Sequence, residues 1–235
     1  MPRAPELIVA LDVSGLGEAE RLVRLLRPAV NLFKVGSVLF TACGPDAVRM
    51  VHDHGARVFL DLKFFDIPHV VAAAVAQAAR LRVSMLTVHT LGGREMLRAA
   101  VQAAREAENP PRLIGVTLPT SLDEEGARSV GIVGGLAEAV LRLGALAREA
   151  GLAGVVCGVH EVAGLKQSLG TEFLTVVPGI RPRTVEGDDQ ARTGDVHSAV
   201  AAGADYVVVG RPVLQAPDPL AAARVLAEAL ASGRR

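Results

Sequence analysis

The sequence predicts a closed barrel of eight parallel strands, each followed by helix. Three observations lead there. Eight short runs are apolar without interruption and rich in Val, Ile and Leu, as strands covered on both faces are. Helical patterns separate the runs, and alternation of strand and helix builds a parallel sheet with right-handed crossovers. The chain has 235 residues, and eight such units in that length match the size of an α/β (β/α)8, or TIM, barrel. A doubly wound open sheet is the competing architecture. It is disfavoured because no Gly-x-Gly-x-x-Gly turn follows the first run. Residues 1–235 are expected to form one domain.

Taken in order, the first strand is Leu7 to Leu11, ending at Asp12, with an amphipathic helix over 18–27. The second is Asn31 to Val35, followed by Gly36 and a helical stretch over 44–54. The third covers 57–63, and a helix rich in Ala and Val follows over 70–80. The fourth, Ser84 to His89, leads through Gly92 and Gly93 into a helix over 94–107. Arg112 to Thr117 is the fifth, with a loop and helices across 121–150. Gly154 to Cys157 is the sixth, with a helix over 161–168, and Phe173 to Val177 the seventh, followed by Pro178 to Pro182. The eighth, Tyr206 to Val209, ends at Gly210, Arg211 and Pro212 before a last helix over 218–231.

Composition narrows the function. Formal charge is zero with no basic or acidic tail, and aromatic residues are 3% with no Trp, so neither nucleic acid nor an anionic membrane surface is an expected partner. No apolar run reaches the roughly 20 residues of a membrane span, and the first residues lack the apolar stretch of a signal peptide. Cys43 and Cys157 stand far apart without metal-type spacing, as free thiols in a reducing compartment do. A cytoplasmic enzyme is the expectation. Only three of the 25 basic residues are lysine: Lys34, Lys63 and Lys166. Lysine is a compact point charge that can release a proton, and arginine is not.

In such barrels the chemistry lies at the C-terminal ends of the strands. Those ends carry Asp12, Lys34, Asp61, Lys63, His89, Thr117 to Ser121, His160, Arg181 and Arg211, whereas the strand interiors are almost free of charge. Phosphate is expected between the loops after strands seven and eight, Pro178-Gly179-Ile180-Arg181 and Gly210-Arg211. Their glycines let backbone N–H groups approach, and arginine offers a fork to phosphate oxygens. The long polar stretch after Arg181 reads as a lid, with Gln190 a contact to the anion.

The densest feature is Val58 to Val70, an apolar strand that breaks into charge. Asp61 and Lys63, two apart, project to one face of a strand, and Asp66 follows just before Pro68. With Lys34 these residues alternate cation and anion, and buried charge of that density is too expensive to be idle packing. Lys63 between two carboxylates is expected to stay an ammonium and donate a proton. Two other readings stand beside this one. Asp61 and Asp66 would suit Mg²⁺ as hard oxygen ligands, although Lys34 and Lys63 would repel a metal. The four residues could also form a structural ion-pair network. His52 and His54 are read as surface residues, His69, His160 and His197 as loop polars, and His89 as a neighbour of the charged centre.

The run Asp61-Leu-Lys63-Phe-Phe-Asp66-Ile-Pro68 resembles the Asp-x-Lys-x-x-Asp-Ile-Pro signature of the orotidine 5′-phosphate decarboxylase family. Asp12, Lys34 to Gly36, His89, Thr120-Ser121, Pro178 to Pro182, Gly187 to Arg192 and Gly210 to Pro212 fall in the family's order along nearly the whole chain. The resemblance implies a cofactor-free, metal-free homodimeric barrel that converts orotidine 5′-phosphate to UMP and CO₂, the last step of UMP synthesis. It implies that Lys63 protonates C6 as CO₂ leaves, that Asp61 sits against the substrate carboxylate, and that Lys34 holds Asp61 and the ribose. It implies further that Asp66 and Ile67 reach the partner subunit's site and that Asp12 holds the ribose. Thr120 and Ser121 would meet the pyrimidine edge, and Arg181, Gln190, Gly210 and Arg211 the phosphate. The chain departs from the family where His69-Val70 replaces Asn-Thr, where Phe65 replaces a common His, and where Pro119 replaces a common Leu. Two alternatives on the same scaffold are a metal-dependent sugar-phosphate decarboxylase or aldolase and a non-catalytic sensor of phosphoribosyl ligands.

Overall fold

The computed structural model describes residues 4–180 and 194–233. Eight strands close into a parallel barrel in sequence order: β1 (Glu6–Ala10), β2 (Leu32–Gly36), β3 (Arg57–Phe64), β4 (Met85–His89), β5 (Arg112–Val116), β6 (Gly154–Val156), β7 (Leu174–Val177) and β8 (Tyr206–Val209). Closure is made by β1 against β8, with Ile8 opposite Val208. The predicted barrel is therefore the observed one, and its runs are continuously apolar because each strand is buried on both faces.

Two cores result. Outward-facing residues such as Val9, Phe33, Leu60 and Val155 pack under the helices. A smaller core fills the barrel itself, built from Ile8, Leu32, Phe59, Met85, Ile114, Val176, Tyr206 and Val208.

The helices match the periodicity with three corrections. The helix expected over 44–54 is α3 (Asp46–Asp53), and a further helix that was not expected, α2 (Ser37–Cys43), precedes it. Gly44, at φ +59°, turns the chain between them, and Pro45 then opens α3. Two short helices, α9 (Val196–Ala202) and α10 (Arg211–Leu214), were not anticipated, because four to seven residues span too few turns to show a period. The others are α1 (Leu16–Leu26), α4 (Pro68–Arg80), α5 (Gly93–Arg105), α6 (Glu124–Ser129), α7 (Leu136–Ala150), α8 (Val162–Leu169) and α11 (Pro219–Ser232). His52 is not a plain surface residue: its ring nitrogens lie 3.1 Å from the carbonyl oxygens of Ala56 and Leu81, tying α3 to the turn after α4.

The third lysine belongs to the scaffold. Lys166 Nζ donates to the carbonyls of Thr171 and Phe173, at 2.9 and 2.8 Å, and to Asp205 Oδ2 at 2.6 Å. Asp205 also accepts from the Thr175 amide at 2.7 Å. Three acceptors around one nitrogen suit an ammonium, which a planar guanidinium cannot imitate. This bolt lies at the starts of β7 and β8, the end of the barrel where stability rather than chemistry resides.

Candidate active site

The other two lysines meet at the opposite rim. Lys34 projects from β2 into the barrel mouth, where its Nζ lies 3.1 Å from Asp12 Oδ1 and 3.5 Å from Asp61 Oδ2. Lys63 Nζ donates to the same Asp61 oxygen at 2.9 Å. The order is Asp12, Lys34, Asp61, Lys63, alternating in sign and summing to zero. Asp61 is buried, with its side chain 10% exposed, whereas the Lys63 side chain is 45% exposed and faces the opening.

Electrostatics keep the buried pair Asp61 and Lys34 ionised. Burial alone would raise the Asp61 pKa, but the Lys34 and Lys63 ammoniums and hydrogen bonds from Lys63 and Thr87 outweigh it and hold the carboxyl below its ordinary value. Burial would likewise lower Lys34, yet Asp61 and Asp12 raise it above its ordinary value. His89 is pushed down, first by burial and then by Lys63, so it stands as a neutral ring. That ring packs 5.4 Å from the ring of Phe65, beside the charged centre.

Asp61 and Lys63 meet by a route different from the expected alternation. β3 pairs regularly with β4 as far as Leu60 opposite Leu86, and the pairing resumes with Phe64 opposite Val88. Residues 61–63 therefore bulge opposite the single residue Thr87. Lys63 turns through φ +50°, a left-handed conformation that costs a non-glycine residue about 1–2 kcal/mol. Bulges of this kind re-aim side chains beside active sites.

Gly36 makes room for the array. A Cβ built there would stand 2.7 Å from Lys34 Nζ and 3.4 Å from Asp12 Oδ1. Gly36→Ala is expected to displace the Lys34 ammonium rather than unfold the barrel. Turnover should fall about tenfold while Tm moves by only a few degrees, as one displaced ionic hydrogen bond implies. Parallel kinetics and melting of the variant check this, and a drop in Tm with normal turnover would refute it.

The array lines one wall of a cavity of about 500 Å³ at the barrel mouth. Facing it are Thr120 and Ser121 after β5, Pro178 and Gly179 after β7, and Gly210 and Arg211 after β8. Phe59, Val116, Val156, Val176 and Val208 form an apolar floor. The structure thus gathers Asp12, Lys34, Asp61, Lys63, Thr120, Ser121, Gly210 and Arg211 around one space. Asp66 and Ile67 are not part of it. They border a separate shallow depression with Phe65, Pro68, Leu91 and Gly92. Arg181 and Gln190 lie outside the described residues. Neither Thr87 nor the spatial need for Gly36 was found from the sequence, although a hydroxyl inside an otherwise apolar strand was the available signal for Thr87.

A continuous match covers residues 5–226 with the model of the orotidine 5′-phosphate decarboxylase / HUMPS family. The chain belongs to that family. An orotidine 5′-phosphate decarboxylase of Syntrophotalea carbinolica is 49% identical over 232 residues, covering 97% of this chain and 95% of that one. One from Moorella thermoacetica is 50% identical over 228 residues, with 94% and 90% covered. The crystal structure of the orotidine 5′-phosphate decarboxylase from Lactobacillus acidophilus superposes with a TM-score of 0.85 at 33% identity, over 97% of this chain and 99% of that one. Family membership accounts for the order of the motifs, from Asp12 after β1 to Arg211 after β8.

Proposed function

We propose that the chain, a single-domain barrel over residues 1–235, decarboxylates orotidine 5′-phosphate to UMP and CO₂ without metal or cofactor. The observation that carries this reading is the sharing of Asp61 Oδ2 by two ammoniums, at 2.9 and 3.5 Å, one of which faces the cavity. The phosphate would bind across the cavity at Gly210 and Arg211, with Arg181 and Gln190 joining from the lid. Asp12 and Lys34 would hold the ribose, and Thr120 with Ser121 the pyrimidine edge.

In this reaction the bond from C6 to the carboxylate breaks and CO₂ leaves, with the electron pair remaining on C6. Lys63 then delivers a proton to that carbon and regains one from water. Its positive charge stabilises the carbanion as it develops, an interaction stronger in the transition state than in the ground state. Asp61 presents a like charge to the substrate carboxylate. Two such charges about 4 Å apart repel by roughly 4 kcal/mol at an effective dielectric of about 20. Phosphate contacts remote from C6 supply the binding energy that offsets this repulsion.

The reading includes a homodimer in which Asp66 and Ile67 complete the partner's site. Supporting it, Phe65, Ile67 and Leu91 expose 60%, 56% and 42% of their surface around Asp66, a density of apolar exposure that marks contact surfaces. Among the described residues no helix is long and apolar enough to cross a membrane, and the enzyme is read as cytoplasmic, acting at the last step of UMP synthesis. An absorbance assay with orotidine 5′-phosphate tests the proposal. Turnover is expected and should be unchanged by EDTA. Activity abolished by chelation would favour the metal-dependent sugar-phosphate chemistry of the same superfamily, and absence of turnover would refute the reading.

A further inference from the structure

We propose that Thr87 is the positioning residue that aims Asp61 and Lys63, through a hydroxyl bridging the two across the β3 bulge. The inference rests on the decarboxylase reading and adds to it a residue behind the charged array.

Thr87 is fully buried, on the same face of β4 as Met85, which packs in the barrel's inner core. Its Oγ1 accepts a hydrogen bond from the Lys63 amide at 2.8 Å. The hydroxyl has one proton of its own, and that proton is donated to Asp61 Oδ1 at 3.0 Å. One side chain thus holds the backbone of the lysine and the carboxylate of the aspartate. With Oδ1 engaged by Thr87, Oδ2 is left turned toward Lys34 and Lys63.

The backbone bond matters because of the bulge. Residues 61–63 face one residue of β4, so the Lys63 amide has no regular ladder partner there and takes the hydroxyl instead. That bond supports the left-handed turn at φ +50° which directs the lysine toward the cavity. An apolar side chain of the same shape would fill the space but leave the amide and the carboxylate oxygen without this partner.

Thr87→Val and Thr87→Ser separate aiming from packing. In Thr87→Val, kcat is expected to fall roughly 10- to 100-fold, as loss of hydrogen bonding to a charged group implies, with UMP affinity within about threefold of the parent. Exchange of the Lys63 amide, read by NMR, should accelerate at least about tenfold as its acceptor is removed. Thr87→Ser should restore both quantities to within about threefold, because the hydroxyl is kept. An unchanged kcat or amide exchange in Thr87→Val would overturn the proposal, as would a serine variant as impaired as valine. Should Thr87→Val not fold, Thr87→Ala carries the same readouts. Failure of both to fold would also overturn it, since the hydroxyl would then hold the barrel rather than aim the lysine. Amide exchange needs no turnover, so an inactive parent would refute the decarboxylase reading while leaving the positioning role to be decided by exchange alone.

Discussion

Lys63→Ala should lower kcat by roughly 10⁴-fold or more, because it removes both the proton donor and the charge facing the carbanion. The fold should survive the change. Asp61 keeps Lys34 at 3.5 Å and Thr87 at 3.0 Å, so no buried carboxylate is stranded, and the side chain removed is 45% exposed. UMP, which carries no carboxylate on C6, should still bind within about tenfold of the parent, since ground-state binding does not depend on an interaction made in the transition state. Lys63→Arg sharpens the result by keeping the charge while withholding a transferable proton, and it should be nearly as slow. Pre-steady-state and steady-state rates with orotidine 5′-phosphate measure both variants. Turnover within about tenfold of the parent in Lys63→Ala would refute the assignment of Lys63 as acid.

The second large effect is a rescue. Asp66→Ala should be nearly inactive alone, as should Lys63→Ala, because each site would draw Lys63 from one chain and Asp66 from the other. Mixing the two and allowing subunits to exchange should restore about a quarter of parental activity, since half the dimers become mixed and one of their two sites is intact. Subunit exchange followed by assay reads this directly. A mixture no more active than its parts would show that Asp66 serves its own chain or none. The placement of Asp66 and Ile67 in a depression apart from the Lys34–Asp61–Lys63 cluster is what motivates the experiment.

Residues that act through charge at the ends of apolar runs were legible in the sequence. Asp12, Lys34, Asp61 and Lys63 stood out because charge interrupts hydrophobic strands, and the strand order then required them to share a rim. What escaped was set by local geometry. The bulge after Leu60 depends on the pairing of β3 with β4, and pairing is not printed in either strand alone. Thr87 escaped with it, since its hydroxyl marks the strand but its partners are set by the residues opposite. Gly36 could be read as the end of a strand, but not as the space over which an ammonium passes. Helices α2, α9 and α10 were too short for a period.

The floor of the cavity has a consequence for remodelling this enzyme. Phe59, Val176 and Val208 are at once the surface a substrate would rest on and the upper layer of the barrel's inner core. Enlarging the pocket from below would therefore hollow the scaffold, and a buried Phe59→Ala alone would sacrifice about 3–5 kcal/mol of the small margin by which such a domain stays folded. Room for a ligand of different size would have to come from above, through the loops after β5, β7 and β8 that border the cavity. A library aimed at new substrates should leave the floor untouched and diversify those loops.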